Sequence, residues 1–312
     1  MLTNIDVTLR DGGYRNNFDF PLGYALDHAR TSAEAGVEWI EIAYRNGSFK
    51  PIPDIGLTGR GDDAFIRAAA DAIGPDRVCV ILHPHNTDDD DLAAVHEAGA
   101  RLLRICADAS APAPALATLA RAKQLGFTTA INLTRVTHHS RRQLVHVAAD
   151  AAELGADVVY LADSNGSLLP ADTHRLVTAV GHVVDCEIGL HAHNNLGLAL
   201  ANAIAATEAG ATWIDSSVLG MGKGPGNLIT EQWLAYLIRQ HGTARYDLGS
   251  ALALAEKLRR EIPEASPELP LPDLLLGWFD LTVEHRARLR GDGIGALFDS
   301  ATELARNARA AA

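Results

Sequence analysis

Two histidines separated by one residue, His191 and His193, are the side chains whose types and spacing most directly suggest chemistry in this chain of 312 residues. They follow the short, mostly apolar run 187–190. Side chains at i and i+2 of a β-strand point to the same face, so the two imidazoles can converge on one point. A divalent metal ion is the usual occupant of such a point. Taken alone, the pair is equally compatible with an ordinary strand end.

The elements that must position this pair are eight short β-rich segments, which start about 25 to 40 residues apart, the length of a βα unit. The predicted strands cover residues 5–9, 37–43, 78–82, 102–105, 128–133, 158–161, 187–190 and 212–216. Alanine-rich segments with helical periodicity separate them, and several end in a glycine typical of a helix C-terminus. Eight such units predict an α/β fold of the (β/α)8 type, a TIM barrel. A doubly wound open sheet is the alternative, but Gly12-Gly13 is too short for its dinucleotide-binding turn.

The regular alternation stops near Tyr246, and this change divides the predicted domains. Residues 1–245 are predicted to form the barrel, which is the catalytic domain. Residues 246–312 read as a helical C-terminal extension packed on it, because about 65 residues with a proline-rich insertion make a thin core of their own. Its apolar run 274–279 would cover the barrel or a second subunit, so a homodimer is compatible with the sequence.

Polar and ionisable residues stand at the carboxyl end of every predicted strand, where a (β/α)8 barrel places its chemistry. In chain order these residues are Arg10 and Asp11, Glu41 and Tyr44, His83 and His85, Arg104 and Asp108, Asn132 and Thr134, Asp163 and Ser164, His191 and His193, and Asp215 and Ser216. One carboxylate with two imidazoles suits Mn²⁺, Zn²⁺, Co²⁺ or Fe²⁺ better than Ca²⁺. Arg10 beside such a metal would stabilise an oxyanion such as an enolate. We expect Asn132, Asp163, Ser164 and Asn195 to contact the substrate.

The overall composition of the chain argues against several classes of protein. A formal net charge of −12 without a Lys/Arg block argues against a nucleic-acid partner. The first residues lack the pattern of a signal peptide, and no segment is apolar for the roughly 18 residues of a membrane span. Three scattered cysteines without CxxC spacing indicate neither a disulfide framework nor a structural zinc site. We therefore expect a cytoplasmic globular protein with no membrane partner.

Five sequence motifs together resemble the DRE-TIM metallolyase superfamily, also called HMGL-like, and most of all its 4-hydroxy-2-oxovalerate aldolase branch. The motifs are Asp6-Val7-Thr8-Leu9-Arg10-Asp11-Gly12, Ile40-Glu41, Asp163-Ser164-Asn165-Gly166, His191-Ala192-His193-Asn194-Asn195-Leu196-Gly197 and the glycine-rich segment 220–231. They extend from residue 6 to residue 231, so the resemblance covers essentially the whole predicted barrel.

The resemblance implies a set of metal ligands and catalytic residues. Asp11, His191 and His193 would bind a divalent metal, with Asn227 at or near it. Arg10 would steady an enolate oxygen, and Glu41 would organise the site through Arg10 or through metal-bound water. The implied metal is Mn²⁺, with Zn²⁺, Co²⁺ or Mg²⁺ as alternatives.

The reaction that the resemblance implies is a carbon–carbon lyase reaction, in which the bond of a 4-hydroxy-2-oxo acid is made or broken through a metal-bound, pyruvate-type enolate. The partners would accordingly be small 2-oxo acids or aldehydes. A Claisen-type acyl-CoA synthase or lyase is the alternative, although no adenine- or phosphate-binding group beyond Lys223 is evident. A barrel that keeps the metal but serves as a pathway scaffold is the alternative from another class, and the intact set of Arg10, Asp11, His191 and His193 argues against it.

The chain departs from these relatives at the proton-transfer residue. The aldolases place a histidine three residues after the metal aspartate, where this chain has Tyr14. The lyase branch places a cysteine in the loop after strand eight, and residues 219–226 contain none. Tyr14 is therefore predicted to act as the acid/base. The alternatives are Tyr44, His138, His139 and His285.

Overall fold

Eight parallel strands close into a barrel in chain order, and the last strand pairs with the first. This computed structural model describes residues 2–265 and 270–310. The strands are β1 (Thr3–Asp6), β2 (Trp39–Arg45), β3 (Val78–Leu82), β4 (Leu102–Ala107), β5 (Thr128–Leu133), β6 (Val158–Asp163), β7 (Glu187–Ala192) and β8 (Trp213–Ser216). The predicted (β/α)8 barrel is confirmed.

Helices connect the strands on the outside of the barrel and continue after β8. They are α1 (Thr8–Asp11), α2 (Leu22–Glu34), α3 (Leu57–Arg60), α4 (Asp63–Ile73), α5 (Asp89–Glu97), α6 (Ala113–Gln124), α7 (Arg141–Glu153), α8 (Pro170–Gly181), α9 (Ala199–Glu208), α10 (Thr230–His241), α11 (Leu248–Glu261), α12 (Leu271–Phe279) and α13 (Ile294–Ala310). None of the helices in the described ranges is long and apolar enough to cross a membrane.

The first strand is shorter than the sequence predicts, because the chain turns into helix α1 at Thr8. The Asp6 carboxylate accepts hydrogen bonds from the backbone N–H of Thr8 at 2.8 Å and from its hydroxyl. Asp6 is itself held by His28 Nε2 at 2.8 Å and by the Ser32 hydroxyl at 2.7 Å. A side-chain acceptor for a free N–H favours a helix start over a continued strand. The strand predicted over 5–9 is therefore wrong beyond Asp6.

The side chains inside the barrel change from apolar to charged along the barrel axis. Near the amino ends of the strands it is apolar, and the rings of Trp39 and Trp213 stack with their centroids 6.5 Å apart. Further along, the charged side chains of Glu41, Arg104 and Asp215 are buried inside the barrel. A separate, larger apolar layer packs the strands against the helices. The interior thus supports buried charges only on the side that faces the carboxyl ends of the strands.

The helices after residue 246 contact the barrel in two places. Helix α11 packs against α2 and α10. Helix α12 approaches the carboxyl ends of the strands, where the backbone carbonyl of Asp273 accepts a hydrogen bond from Asn195 Nδ2 at 3.1 Å. Part of the predicted extension, residues 266–269, lies outside the described residues. The division at 245/246 stays a prediction.

Candidate metal centre

Three buried side chains from opposite ends of the chain come together at the carboxyl ends of the strands. Asp11 ends α1, while His191 and His193 stand at and just beyond the end of β7. One potential ligand atom from each lies within 4.8 Å of the other two. The alternation of β7 aims both imidazoles at one point, as the His-x-His spacing predicts.

The second nitrogen of each imidazole is held by an acceptor, and this fixes the tautomer. His191 Nδ1 donates to the Asp215 carboxylate at 2.8 Å, and His193 Nδ1 donates to the Lys223 carbonyl oxygen at 3.2 Å. The two Nε2 atoms face each other and lie within hydrogen-bond distance, 3.2 Å apart. Burial lowers the pKa of His193 to about 4, so its imidazole is neutral at pH 7. Two imidazole nitrogens directed at one point are a typical pair of donors to a divalent cation.

Asn227 adds a neutral oxygen to the same place. Its Nδ2 donates to Asp11 Oδ2 at 2.9 Å. Its Oδ1 is buried and has no hydrogen-bond partner among the residues that the structure describes. A buried acceptor without a donor is costly, and a metal ion would satisfy it. The donor set of one carboxylate, two imidazoles and one amide therefore fits a divalent cation.

The glycine-rich loop after β8 wraps around these donors. A Cβ atom on Gly222 would lie 2.5 Å from Asn227 Nδ2 and 2.8 Å from Asp11 Oδ2. The next residue, Lys223, donates its backbone N–H to Asp11 Oδ2 at 3.0 Å. Only a residue without a side chain allows the loop to approach so closely.

Arg10 lies beside the donors and is oriented by two carboxylates. Its Nη1 donates to Asp11 Oδ1 at 2.5 Å and its Nε donates to Glu41 Oε2 at 2.6 Å. Burial opposes the ionisation of Asp11, but the Arg10 guanidinium and the hydrogen bond from Asn227 outweigh it and hold the pKa of Asp11 below its usual range. Arg10 Nη2 finds no acceptor within residues 2–265 and 270–310, so its N–H groups are available to a ligand.

A cavity of about 690 Å³ opens in front of these groups. Its wall near β2, β3 and β4 is largely apolar and aromatic, and includes Phe49, Ile81 and His83. The His83 ring stacks on Tyr44 with their centroids 5.6 Å apart. Residues 282–285, which follow α12, line the cavity from the other side. This volume lies within the range of small-molecule binding sites.

Tyr14 lines this cavity and belongs to a short chain of hydroxyl groups. Its phenolic oxygen shares a hydrogen bond with the Ser48 hydroxyl and lies 3.3 Å from the Tyr44 hydroxyl. Tyr44 in turn accepts from Arg10 Nη1 at 3.4 Å. Burial raises the pKa of Tyr44, so that hydroxyl keeps its proton. The Lys223 ammonium lies 5.0 Å from the centroid of the Tyr14 ring.

The predicted substrate contacts divide into two groups. Asn132 and Ser164 line the cavity. Asp163 is fully buried, and its carboxylate accepts from the backbone N–H groups of Ser167 and Leu168 at 3.1 and 3.0 Å. Asn195 is turned towards α12, as described above. Neither Asp163 nor Asn195 is among the described residues that line the cavity.

Several residues of the site escape prediction from the sequence. Ser48 lies in the loop after β2, and residues 282–284 come from the far end of the chain, next to His285, which is predicted from the sequence as an alternative acid/base. Their approach depends on the docking of α12, for which the sequence carries no short-range signal. Of the alternative acid/base residues, Tyr44, His138 and His285 line the cavity, whereas His139 lines a neighbouring one.

Known proteins are similar to this chain over most of its length. The sequence profile of the HMGL-like family matches residues 2–258. A 4-hydroxy-2-oxovalerate aldolase of Brevibacillus brevis is 34% identical over 292 residues, which is 92% of this chain and 86% of the relative. The enzyme of the same name from Geobacillus thermodenitrificans is 33% identical over 92% of this chain and 85% of its own. The N-terminal domain of a Bacteroides vulgatus protein has the same fold, with a TM-score of 0.84 at 24% identity, over 96% of this chain and 100% of that chain.

Proposed function

The chain belongs to the HMGL-like family, and on that premise we propose that it is a divalent-metal-dependent aldolase, which cleaves or forms a C–C bond of a 4-hydroxy-2-oxo acid. The observation that carries the proposal is the convergence of Asp11, His191 and His193 beside Arg10 at the floor of one cavity. The similarity to 4-hydroxy-2-oxovalerate aldolases over most of the chain supports the substrate class.

We propose that Asp11, His191, His193 and Asn227 hold the metal ion, and that this ion is Mn²⁺, with Zn²⁺, Co²⁺ or Mg²⁺ as alternatives for the binding test. The carboxylate and amide oxygens suit Mn²⁺ and Mg²⁺, and the imidazole nitrogens suit Zn²⁺ and similar transition-metal ions. When bound there, a divalent cation supplies Lewis acidity towards the carboxylate and carbonyl oxygens of a 2-oxo acid.

The proposed cleavage needs no oxidant or reductant. The C4 hydroxyl loses its proton, the C3–C4 bond breaks, and one half leaves as an aldehyde. The electron pair of that bond remains with the 2-oxo acid half as an enolate, which takes a proton at C3 to give pyruvate or a relative.

Arg10 and Tyr14 carry this reaction on the protein side. The free N–H groups of Arg10 would donate to the enolate oxygen, and Glu41 keeps the guanidinium in that orientation through its 2.6 Å contact. The phenolic oxygen of Tyr14 would take the proton of the C4 hydroxyl and deliver it to C3 of the enolate, with the Ser48 hydroxyl holding that oxygen in place. Asn132 and Ser164 would contact the substrate from the cavity wall.

Proton exchange at the methyl group of pyruvate tests this function directly. The protein is incubated with Mn²⁺ and pyruvate in deuterated water, with and without acetyl-CoA, and loss of the methyl signal is followed by proton NMR. We expect exchange with the metal alone, loss of exchange in Arg10→Ala, and loss of bound metal in His191→Ala. The matched control is Arg45→Ala, because Arg45 also bridges two carboxylates, those of Asp63 and Asp91, away from the cavity.

Two outcomes would overturn the proposal. Exchange that requires acetyl-CoA would assign the chain to acyl-CoA chemistry. Absence of exchange under all conditions, with metal still bound, would assign it a different enolate donor or a binding role. Association into a homodimer stays a prediction, which sedimentation of the purified protein would measure.

A further inference from the structure

Beneath the metal centre, buried charged side chains form one continuous chain of hydrogen bonds that begins and ends at metal donors. Its members are Asp11, Arg10, Glu41, Arg104, Asp215 and His191, and the successive contacts measure 2.5, 2.6, 3.0, 2.7 and 2.8 Å. Each contact joins an ionised donor or acceptor, so these are hydrogen bonds of the stronger, charge-assisted kind.

Arg104 occupies the middle of this chain. It belongs to β4 and is 0% exposed, so it does not touch a ligand in the cavity. Its Nη1 donates to Glu41 Oε1 and its Nη2 donates to Asp215 Oδ2, while Nε points at Asn132 Oδ1 at 3.4 Å. The guanidinium lies over the ring of Tyr160, with 4.1 Å between the central carbon and the ring centroid. These contacts therefore hold the guanidinium in one position and orientation.

The two carboxylates that Arg104 holds serve different groups. Glu41 uses its second oxygen, Oε2, for Arg10 Nε. Asp215 uses the same oxygen, Oδ2, for Arg104 and for His191 Nδ1. One cation thus determines where both carboxylates lie, and a planar fork with separate N–H groups is the geometry that this requires. A lysine ammonium is a single point and lacks such a fork.

We propose that Arg104 is a positioning residue with two outputs: it orients Arg10 through Glu41, and it fixes the tautomer and direction of His191 through Asp215. The Arg10 output rests on the proposed function. The His191 output rests only on the metal donors, and carboxylates behind ligating histidines are known to raise metal affinity.

The experiment measures the two outputs separately on the full chain. Metal affinity is taken from Co²⁺ titration by visible absorption, and the His191 tautomer from nitrogen-15 NMR of the metal-free protein. The proton exchange of pyruvate is measured at saturating Mn²⁺. We expect Arg104→Met to weaken Co²⁺ binding about tenfold or more, to give a mixture of His191 tautomers, and to slow exchange at least about tenfold.

Variants of the two carboxylates divide these effects. Asp215→Asn is expected to reproduce the loss of metal affinity and the mixed tautomers. Glu41→Gln is expected to slow exchange while Co²⁺ affinity stays within about twofold of the wild type. The control Arg45→Met removes an arginine that also bridges two carboxylates, and all three readouts should remain unchanged.

The results distinguish this inference from the proposed function. Unchanged metal affinity and a single His191 tautomer in a folded Arg104 variant would overturn the His191 output. Normal exchange in Glu41→Gln would overturn the Arg10 output. If Arg104→Met does not fold, Arg104→Lys keeps the buried charge and is expected to show the same pattern of losses. If the wild type binds metal without exchanging pyruvate, the proposed function fails together with the Arg10 output, and the His191 output is still decided by the affinity and the tautomer.

Discussion

Tyr14 stands three residues after the aspartate of the metal centre, and its hydroxyl is the group to which we assign proton transfer. The ring is held independently of the hydroxyl, because it packs edge-on against Phe18 with the centroids 5.0 Å apart. Removal of the hydroxyl alone should therefore leave the ring, the metal donors and Arg10 in place.

We expect Tyr14→Phe to lower kcat for pyruvate formation by about 10²- to 10⁴-fold, the usual contribution of a positioned acid/base. Affinity for Mn²⁺ should not change. The measurement is steady-state release of pyruvate from a 4-hydroxy-2-oxo acid. Tyr236→Phe is the control, because Tyr236 stacks on Trp233, 5.5 Å away on the same helix α10. A kcat within twofold of the wild type would mean that Tyr44, His138 or His285 transfers the proton instead.

At the scale of elements, the loop between β8 and α10 encloses the proposed metal donors and holds them through its backbone. Its backbone supplies the Lys223 carbonyl that fixes His193 and the Lys223 N–H that fixes Asp11. The loop is close enough for both contacts only because Gly222 has no side chain.

We expect Gly222→Ala to weaken Mn²⁺ binding about tenfold or more, since the added Cβ would overlap Asn227 and Asp11 and one of them must move. The midpoint of thermal unfolding of the metal-free protein should change little, because the loop lies at the mouth of the barrel. Isothermal titration with Mn²⁺ measures the affinity. Gly23→Ala on α2 is the matched control, because its Cβ would meet nothing within 4 Å. Equal affinities in the two variants would argue against this arrangement of donors.

At the scale of the whole molecule, hydrogen bonds of Asp280 connect the segment after α12 to the loops that follow β5 and β6. Its Oδ1 accepts from the Thr137 hydroxyl, Asn165 Nδ2 and the Ser167 hydroxyl at 2.7 to 2.8 Å. His138 Nε2 donates to its backbone carbonyl at 2.9 Å. This attachment brings residues 282–285 to the cavity.

The pH dependence of stability should reveal the contact between His138 and Asp280. Burial raises the pKa of Asp280, but hydrogen bonds from His138, Asn165 and Thr137 outweigh it and lower that pKa from 3.8 to about 2. The Asp280 contribution is therefore complete above about pH 4 and is lost as the pH falls towards 2. The hydrogen bond with Asp280 raises the pKa of His138 above 6.5, so the His138 contribution is complete below pH 6.5 and is lost as the pH rises through the raised value.

Urea unfolding of wild type and His138→Gln between pH 4 and 9 measures this contribution. The difference in unfolding free energy should be largest between pH 4 and 6.5 and should shrink above that range. It should not exceed about 1 kcal/mol, because both side chains are 35% exposed and water screens their interaction. Arg135, His139 and His285 also face His138. The positive charge of Arg135 opposes the protonation of His138, whereas burial lowers the pKa of His139 and of His285 and so favours their neutral forms. His146→Gln is the control, since His146 faces Asp150 from an exposed position. A constant difference across this range would rule out the pair as the source.

The barrel could be predicted from the sequence because its signals are local. Alternating strands and helices predict the (β/α)8 fold, and His191 and His193 share a face by strand geometry alone. Asp163 and Asn195 look the same in the sequence as Asn132 and Ser164, since all four lie at or shortly after the end of an apolar strand. The structure separates them because backbone N–H groups and α12 use the first two, and such partners depend on tertiary contacts. For the same reason, the sequence predicts neither the turn at Thr8 nor residues 282–284 at the cavity, and it offers His285 only as an alternative acid/base.

Because β1 pairs with β8, the site can form only after almost the whole barrel sequence has been synthesised. Asp11 and Asn227 are separated by 216 positions, yet they hydrogen-bond to each other in the finished barrel. A nascent chain emerging from the ribosome presents Asp11 long before either histidine or the glycine-rich loop has been synthesised. Contacts of such long sequence separation form late, because the intervening chain must first be ordered. We therefore expect the cation to bind only after the barrel has closed, so that the amount of bound metal would report the fraction of chains with a closed barrel.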